Sequence, residues 1–155
     1  MRVFLGADHA GYELKETLKS YLRDVGYIIE DCGAFRLNAD DDYPDFIGEA
    51  IKKLKKSLEK DADAVAIVMG GSGQGEAMVA NRFHGIRAAV YYGGNADIIK
   101  LSKEHNDANV LSLGARFISA QEAKEAVSLW LKTVFSGEER HKRRLKKIHA
   151  LYKGI

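Results

Sequence analysis

The residues Val-Ala-Ile-Val-Met-Gly-Gly-Ser-Gly-Gln-Gly-Glu occupy positions 65–76 and join an apolar run to a loop that is dense in glycine. The run is apolar throughout, as expected for a strand that is covered on both faces of a parallel sheet. Glycine permits the backbone conformations that turn several N–H groups toward one anion, and it lets a ligand approach closely. The stretch therefore predicts a central strand followed by an anion-binding turn, with the carboxylate of Glu76 beside it.

Strands and helices alternate outward from this stretch to both ends of the chain. Short apolar runs predict strands at 3–7, 27–30, 64–69, 87–92 and 109–113. Helical spacing of apolar residues predicts helices at 12–23, from 42 or 43 to 58, and at 76–82, 96–104, 120–135 and 138–152. This alternation is typical of an α/β fold with a parallel sheet and right-handed crossovers, in which ligands bind beyond the carboxyl ends of the strands.

The composition predicts one globular domain spanning residues 1–155. Apolar residues make up 46% of the chain, which excludes a disordered protein. The formal net charge of +2 is too close to neutral to indicate nucleic-acid binding by itself. Cys32 is the only cysteine, so no disulfide forms within the chain, and we expect a reducing, cytoplasmic compartment. We expect no membrane association and no signal peptide, because no apolar stretch has the required length.

The glycine loop does not match three better-known loop motifs. A Walker loop would end in Gly-Lys-Ser/Thr, which is absent here. A dinucleotide-binding loop would need Gly-x-Gly-x-x-Gly with an acidic residue about 20 positions on, whereas Gly71, Gly73 and Gly75 alternate and the corresponding later position is Tyr91. A nucleophile elbow would need glycine where Gln74 stands. A tight turn without a ligand is the structural alternative, but so many glycines cost backbone entropy without an evident structural return.

Other candidate site residues each have an ordinary structural explanation as well. Glu76 is a candidate base, although the helix dipole favours a glutamate in any first helical turn. Asp8 and His9 follow the first strand, where an N-cap aspartate and a solvated histidine would also fit. His105 stands at a helix C-terminus, a favourable position for any histidine. Arg116 follows the fifth strand, and a lone arginine is usually a surface residue.

The basic run near the C-terminus suggests a further binding element. Arg140 and Arg144 are four residues apart and share one helix face. The helix could be merely solvated, could bind nucleic acid, or could clamp a phosphate with its paired guanidinium groups. Nucleic-acid binding is the weakest of the three, because no aromatic residues are interleaved with the basic ones.

Taken together, the motifs resemble those of the type B ribose 5-phosphate isomerases and the related galactose 6-phosphate isomerase subunits. The resemblance covers nearly the whole chain and specifies the family more strongly than the sugar. It rests on Asp8-His9-Ala10-Gly11-Tyr12-Glu13-Leu14-Lys15, Asp42-Tyr43-Pro44-Asp45-Phe46, residues 70–76 with Ala80-Asn81, Gly85-Ile86-Arg87-Ala88-Ala89, His105-Asn106-Asp107-Ala108-Asn109-Val110-Leu111, Leu113-Gly114-Ala115-Arg116, and Arg140-His141-x-Arg143-Arg144.

The resemblance implies a Rossmann-like three-layer α/β/α sandwich with a five-stranded parallel sheet. It implies a homodimer, often paired further into a tetramer, with sites between subunits and the C-terminal helix, 138–152, packed on the partner. It implies an aldose–ketose isomerase of carbohydrate metabolism in the pentose phosphate pathway, without a metal or other cofactor. Many members carry a cysteine base where this chain has Gly70, and another branch has glycine there and a glutamate at the position of Glu76. This chain resembles the second branch.

The chemistry that follows from the resemblance is proton transfer through a cis-enediolate. We expect Glu76 to move a proton from C2 to C1 of ribose 5-phosphate, giving ribulose 5-phosphate. Residues expected to act in catalysis with it are Ser72 as an oxyanion donor, and Asp8 and His105 in ring opening and proton movement between oxygens. Residues expected to bind the sugar phosphate are His9, Tyr43, Gly71, Gly73, Gln74, Gly75, Asn106, Arg116, Arg140 and Arg144, with Asn81 as a further orienting group. The alternatives are isomerisation of allose 6-phosphate, galactose 6-phosphate or a tetrose 4-phosphate, or sugar-phosphate sensing without catalysis.

Overall fold

The computed structural model describes residues 1–60 and 63–151. In this part of the chain strands and helices alternate up to the last strand, which two helices follow, as the sequence predicts. The elements are β1 (Arg2–Ala7), α1 (Tyr12–Asp24), β2 (Ile28–Asp31), α2 (Tyr43–Leu58), β3 (Val65–Gly70), α3 (Gln74–Ala80), β4 (Ala88–Tyr91), α4 (Asp97–Glu104), β5 (Val110–Gly114), α5 (Ala120–Lys132) and α6 (Glu139–Leu151).

The five strands form one parallel sheet in the order β2-β1-β3-β5-β4. Helices α1, α4 and α5 cover one face of the sheet, and α2 and α3 cover the other. The predicted three-layer α/β/α sandwich with a five-stranded parallel sheet is confirmed. None of the helices among the described residues is both long and apolar enough to cross a bilayer.

Each face of the sheet has its own apolar core. On the first face, Leu14, Leu18 and Leu22 form one stripe of α1 and pack with the fully buried Trp130 of α5. The stripe of α2 on the second face is formed by Ile47, Ile51, Leu54 and their neighbours. Strand β3 serves both cores, because its successive side chains point to opposite faces. This explains why its sequence is apolar throughout rather than alternating.

The sheet topology brings three polar turns to one edge. Strands β1 and β3 are neighbours at the centre of the sheet, with Ala7 opposite Met69, and β5 lies beside β3, with Gly114 opposite Gly70. The chain leaves β1 toward β2 on one side and returns across it to β3, which makes the gap between β1 and β3 the topological switch point. The turns that follow β1, β3 and β5 therefore meet at the carboxyl edge of the sheet.

Two predicted helices had wrong boundaries. The helix predicted at 120–135 ends at Lys132, since Thr133 has extended dihedral angles of −81° and 135°, and Val134 is 77% exposed rather than part of a buried stripe. The helix predicted at 76–82 spans Gln74–Ala80 instead. The helix starts nearer the N-terminus than predicted because Gly73, with φ 77°, is its N-cap. The end of the helix predicted at 138–152 lies outside the described residues, which show α6 up to Leu151.

Candidate active site

Strand β5 and the turn after it donate hydrogen bonds to the glycine loop between β3 and α3. The buried hydroxyl of Ser112 donates to the carbonyl of Gly73 at 2.6 Å, and the N–H of Ala115 donates to the carbonyl of Gly70 at 2.8 Å. The N–H of Gln74 donates to the Ser72 hydroxyl at 3.3 Å. Within the described part of the chain, the N–H groups of residues 71, 72, 73 and 75 have no acceptor. The loop therefore presents several unused donors at the carboxyl edge, as an anion site requires.

Glu76 lies in the first turn of α3, and its carboxylate folds back over Gly70. The residue is only 4% exposed. A Cβ atom at position 70 would overlap the Glu76 carboxyl group, so the glycine is what admits this side chain. A larger residue at position 70, such as cysteine, has no room while Glu76 lies there.

The environment of Glu76 disfavours its charged form. Burial is the largest effect and raises the pKa of Glu76, and the negative charge of Asp8 raises it further, although the residue's own N–H acts in the opposite direction. A glutamate with its ordinary pKa is a weak base near neutral pH, and a raised pKa brings it closer to the value that proton abstraction favours.

Asp8 and His9, in the turn after β1, lie at the same edge as Glu76. Asp8 is buried, and one of its oxygens accepts from the N–H of Gly11 at 3.1 Å, which fixes the start of α1. His9 is not the solvated side chain of the structural alternative. Its ring Nδ1 and its backbone N–H both contact one oxygen of Asp41, at 2.7 and 3.0 Å. Sequence reasoning missed Asp41, whose only local signal is a run of three aspartates in a polar loop.

Asp8, His9 and Asp41 also have the donor types of a divalent-metal site. Each offers one ligand atom, and these atoms lie within 4.8 Å of one another. A hydrogen bond accounts for the shortest distance among them, 2.7 Å between His9 Nδ1 and Asp41.

Tyr43 and Arg116 complete the carboxyl-edge group. The phenol of Tyr43, at the start of α2, lies so close to the glycine loop that a Cβ at Gly75 would stand 2.8 Å from its hydroxyl. The guanidinium of Arg116 lies over Gly71 in the same way, 3.3 Å from where a Cβ would be. Among the described residues, no carboxylate is paired with Arg116, so its charge is available to an anion at this edge.

The other predicted site residues lie at the opposite edge of the sheet. Helix α4 leaves the carboxyl end of β4 and returns to the amino end of β5, so its C-cap, His105, lies at the amino edge together with Asn106. The His105 ring contacts that of His141 in α6 at a tilt of 40°, with centroids 4.3 Å apart, which places Arg140 and Arg144 of α6 on the same side. One chain therefore does not bring these residues to Glu76.

Asn81 has a structural role that the sequence did not indicate. Its side-chain amide donates to the carbonyl of Ala88 at 3.1 Å and accepts from the N–H of the same residue at 2.9 Å. The side chain thus pairs with the edge strand β4 as a neighbouring strand would.

The carboxyl edge combines the parts needed to remove a proton beside a carbonyl group. Glu76 is a candidate base, the loop N–H groups that have no acceptor among the described residues are candidate donors to a developing oxyanion, and Arg116 and His9 are candidate ligands for an anionic substituent.

Comparison with known proteins gives a consistent result. The family model described as Ribose/Galactose Isomerase matches residues 3–148. Ribose-5-phosphate isomerase B of Mycobacterium tuberculosis is 41% identical over 145 residues, covering 94% of this chain and 86% of that protein. A structure of ribose-5-phosphate isomerase B from Clostridium thermocellum has a TM-score of 0.90 and 39% identity, covering 99% of both chains.

A structure of the Mycoplasma genitalium enzyme with bound ribulose-5-phosphate has a TM-score of 0.91 and 34% identity, covering 99% of this chain and 97% of that one. The similarity thus extends from sequence to fold and leaves little of either chain uncovered. Together with a buried glutamate beside a glycine loop at the switch point of the sheet, it shows that the chain belongs to the ribose/galactose isomerase family.

Proposed function

We propose that the protein is an aldose–ketose isomerase that interconverts D-ribose 5-phosphate and D-ribulose 5-phosphate. The observation that carries the proposal is the carboxyl group of Glu76, buried against Gly70 and next to unused N–H donors. The names of the relatives, and the ribulose-5-phosphate in the Mycoplasma genitalium structure, support the choice of sugar. We propose that it acts in carbohydrate metabolism, in the pentose phosphate pathway of the cytoplasm.

In this mechanism Glu76 removes the proton on C2 of the open-chain sugar and returns it to C1. The pair of electrons left by the proton forms the C1–C2 double bond of a cis-enediolate, and the carbonyl oxygen takes the negative charge. The N–H groups of the 71–75 loop and the Ser72 hydroxyl stabilise that charge. Asp8 and His105 open the ring and move a proton between the O1 and O2 atoms. Tyr43 and Asn106 orient the sugar.

The phosphate group is held by His9 and Arg116 of one chain and by Arg140 and Arg144 of a second copy. The fold supports the proposal of a second copy, since α6 lies at the amino edge of its own sheet, away from Glu76. We therefore propose a homodimer with two shared sites, in which His105 and Asn106 also act across the interface. Pairing of two dimers into a tetramer would leave this arrangement intact.

A panel of aldose phosphates from four to six carbons tests the proposed substrate. We expect the highest kcat/KM with ribose 5-phosphate, and lower values with galactose 6-phosphate, allose 6-phosphate and a tetrose 4-phosphate. A preference for a six-carbon sugar would keep the chemistry and overturn the substrate. Binding of the whole panel without conversion of any member would overturn the enzyme and leave a sugar-phosphate sensor.

A further inference from the structure

His9 is held by an acidic residue that comes from a distant loop. One oxygen of Asp41 accepts from both the His9 ring Nδ1, at 2.7 Å, and the His9 backbone N–H, at 3.0 Å, across 32 positions of sequence. Asp8 directly precedes His9 in the sequence, but its carboxylate oxygen lies farther away, 4.0 Å from the same Nδ1. Asp41 is therefore the carboxylate that fixes the ring.

The burial of Asp41 is costly for the fold. Its side chain is only 7% exposed, and within the described residues its second oxygen, Oδ2, is buried and has no hydrogen-bond partner. A buried carboxylate with an unpaired oxygen opposes folding unless a positive charge compensates it. The group beside it that can carry such a charge is the imidazole of His9.

We propose that Asp41 is the positioning residue that holds His9 for the substrate's phosphate group, an inference that rests on the proposed function. With Nδ1 donating to Asp41, the Nε2 atom is the ring nitrogen left to face a ligand. When the ring is protonated on both nitrogens, its Nε2–H can donate a charge-assisted hydrogen bond to a phosphate oxygen. Asp41 acts through His9 and does not touch the substrate itself.

The test is a double-mutant cycle with inorganic phosphate as a competitive probe. We expect Asp41→Ala to raise the inhibition constant of phosphate and the KM of ribose 5-phosphate about tenfold, as loss of a charged hydrogen bond predicts, with kcat within about threefold. In a His9→Ala background the same change should have no further effect. Asp40→Ala is the matched control, since it removes the same charge from an exposed neighbour.

The outcomes separate this inference from the proposed function. An Asp41→Ala protein with unchanged phosphate affinity, or an effect that persists in full in the His9→Ala background, would show that Asp41 only stabilises the loop. Absence of isomerase activity in the unmodified protein would instead contradict the proposed function.

A spectroscopic measurement tests the same inference without any variant. Long-range ¹H–¹⁵N spectra of the unmodified protein should show a protonated Nδ1 on His9, and added inorganic phosphate should shift the Nε2 resonance. A His9 ring that carries its proton only on Nε2, with a bare Nδ1, would overturn the assignment.

Discussion

Glu76 shows how one residue acquires a function from its surroundings. A glutamate in a first helical turn is ordinary, and the sequence alone cannot distinguish a helix-start residue from a base. The structure adds contact with Gly70, and it adds burial and the nearby charge of Asp8, which both raise the pKa of Glu76.

The raised pKa predicts the pH dependence of activity. The base must be ionised, so kcat/KM should rise with pH through the pKa of Glu76, with a midpoint above the ordinary value of 4.5. Asp8→Asn should lower this pKa without returning it to 4.5, because burial is the larger cause. The shift is measured by ¹³C NMR of the Glu76 carboxyl group. A Glu76 titration midpoint that is unchanged in Asp8→Asn would show that the two carboxyl groups do not interact.

The same shift predicts a stability change in Glu76→Gln. A raised pKa means that the folded state holds the proton more tightly than the unfolded state, so ionisation of Glu76 opposes folding above the folded pKa. Glu76→Gln should therefore unfold at a higher temperature than the unmodified protein at pH 7, and the difference should vanish below pH 4.5, where both states are protonated. Thermal unfolding followed by circular dichroism measures this, and a Glu76→Gln protein less stable at pH 7 would contradict it.

Gly70→Ala tests the packing of Glu76 directly. The added Cβ would overlap the Glu76 carboxyl group, which can swing away because it is the end of a flexible side chain. We expect the protein to fold and kcat/KM to fall about 100-fold, since a displacement of about 1 Å is enough for such a loss. Gly48→Ala, where nothing lies within 4 Å of the new atom, is the control and should keep full activity. Normal turnover by Gly70→Ala would show that this position of Glu76 is not the productive one.

Among the elements, α1 and β2 are joined by a buried ion pair that bears on the site. Lys15 of α1 is fully buried, and its Nζ contacts both oxygens of Asp31 at 2.8 Å. Burial alone would raise the pKa of Asp31, but hydrogen bonds from Lys15 and Lys19 outweigh it and lower the pKa. Because Asp31 ends β2, the pair fixes the start of the loop that leads to Asp41.

Lys15→Met should lower the free energy of unfolding by about 3 kcal/mol at neutral pH. This is the low end of the range for a broken buried ion pair, because Lys19 still contacts Asp31. A lowered pKa means that Asp31 stabilises the fold above its unfolded pKa and loses this effect as pH falls through the folded pKa. The difference between the two proteins should therefore shrink below pH 3.8, the ordinary value for the group. Urea unfolding measures it, with the exposed Lys52→Met as control; equal stability of Lys15→Met at pH 7 would contradict the account.

The elements were largely predictable because their apolar patterns are local. Strand β3 is buried on both faces, and α1 has leucines at 14, 18 and 22, so each pattern specifies its element. The end of α5 was not predictable, since helical apolar spacing continues to Val134. The N–H of Ser136 donates to the carbonyl of Glu104, a contact between distant parts of the chain that no local pattern indicates. The start of α3 depends on the left-handed conformation of Gly73, which a glycine permits but does not require.

At the scale of the whole molecule, the sheet divides the predicted site into two groups. Asp8, His9, Tyr43 and Arg116 join Glu76 because residues after parallel strands, or at the start of the next helix, share one edge. Residues after helices, such as His105, lie at the other edge for the same reason. Which distant side chain contacts His9 was not predictable, because no local pattern distinguishes Asp41 from its two aspartate neighbours.

This division predicts complementation between two variants that each have a low kcat/KM. If Glu76 of one chain works with Arg144 of another, a heterodimer of Glu76→Gln and Arg144→Ala chains contains one intact site. An equal mixture, unfolded and refolded together, should recover about a quarter of the activity of the unmodified protein, since half of the dimers are mixed and each has one of two sites. Each variant refolded alone is the control. No recovery in the mixture would mean that one chain supplies both residues.

The most direct test of the central claim, that Glu76 moves the C2 proton, is hydrogen exchange in heavy water. The unmodified protein should incorporate deuterium at C2 of ribose 5-phosphate, measured by ¹H NMR. Glu76→Gln should abolish this exchange while inorganic phosphate still binds with nearly unchanged affinity. Deuterium incorporation by Glu76→Gln at the rate of the unmodified protein would contradict the account.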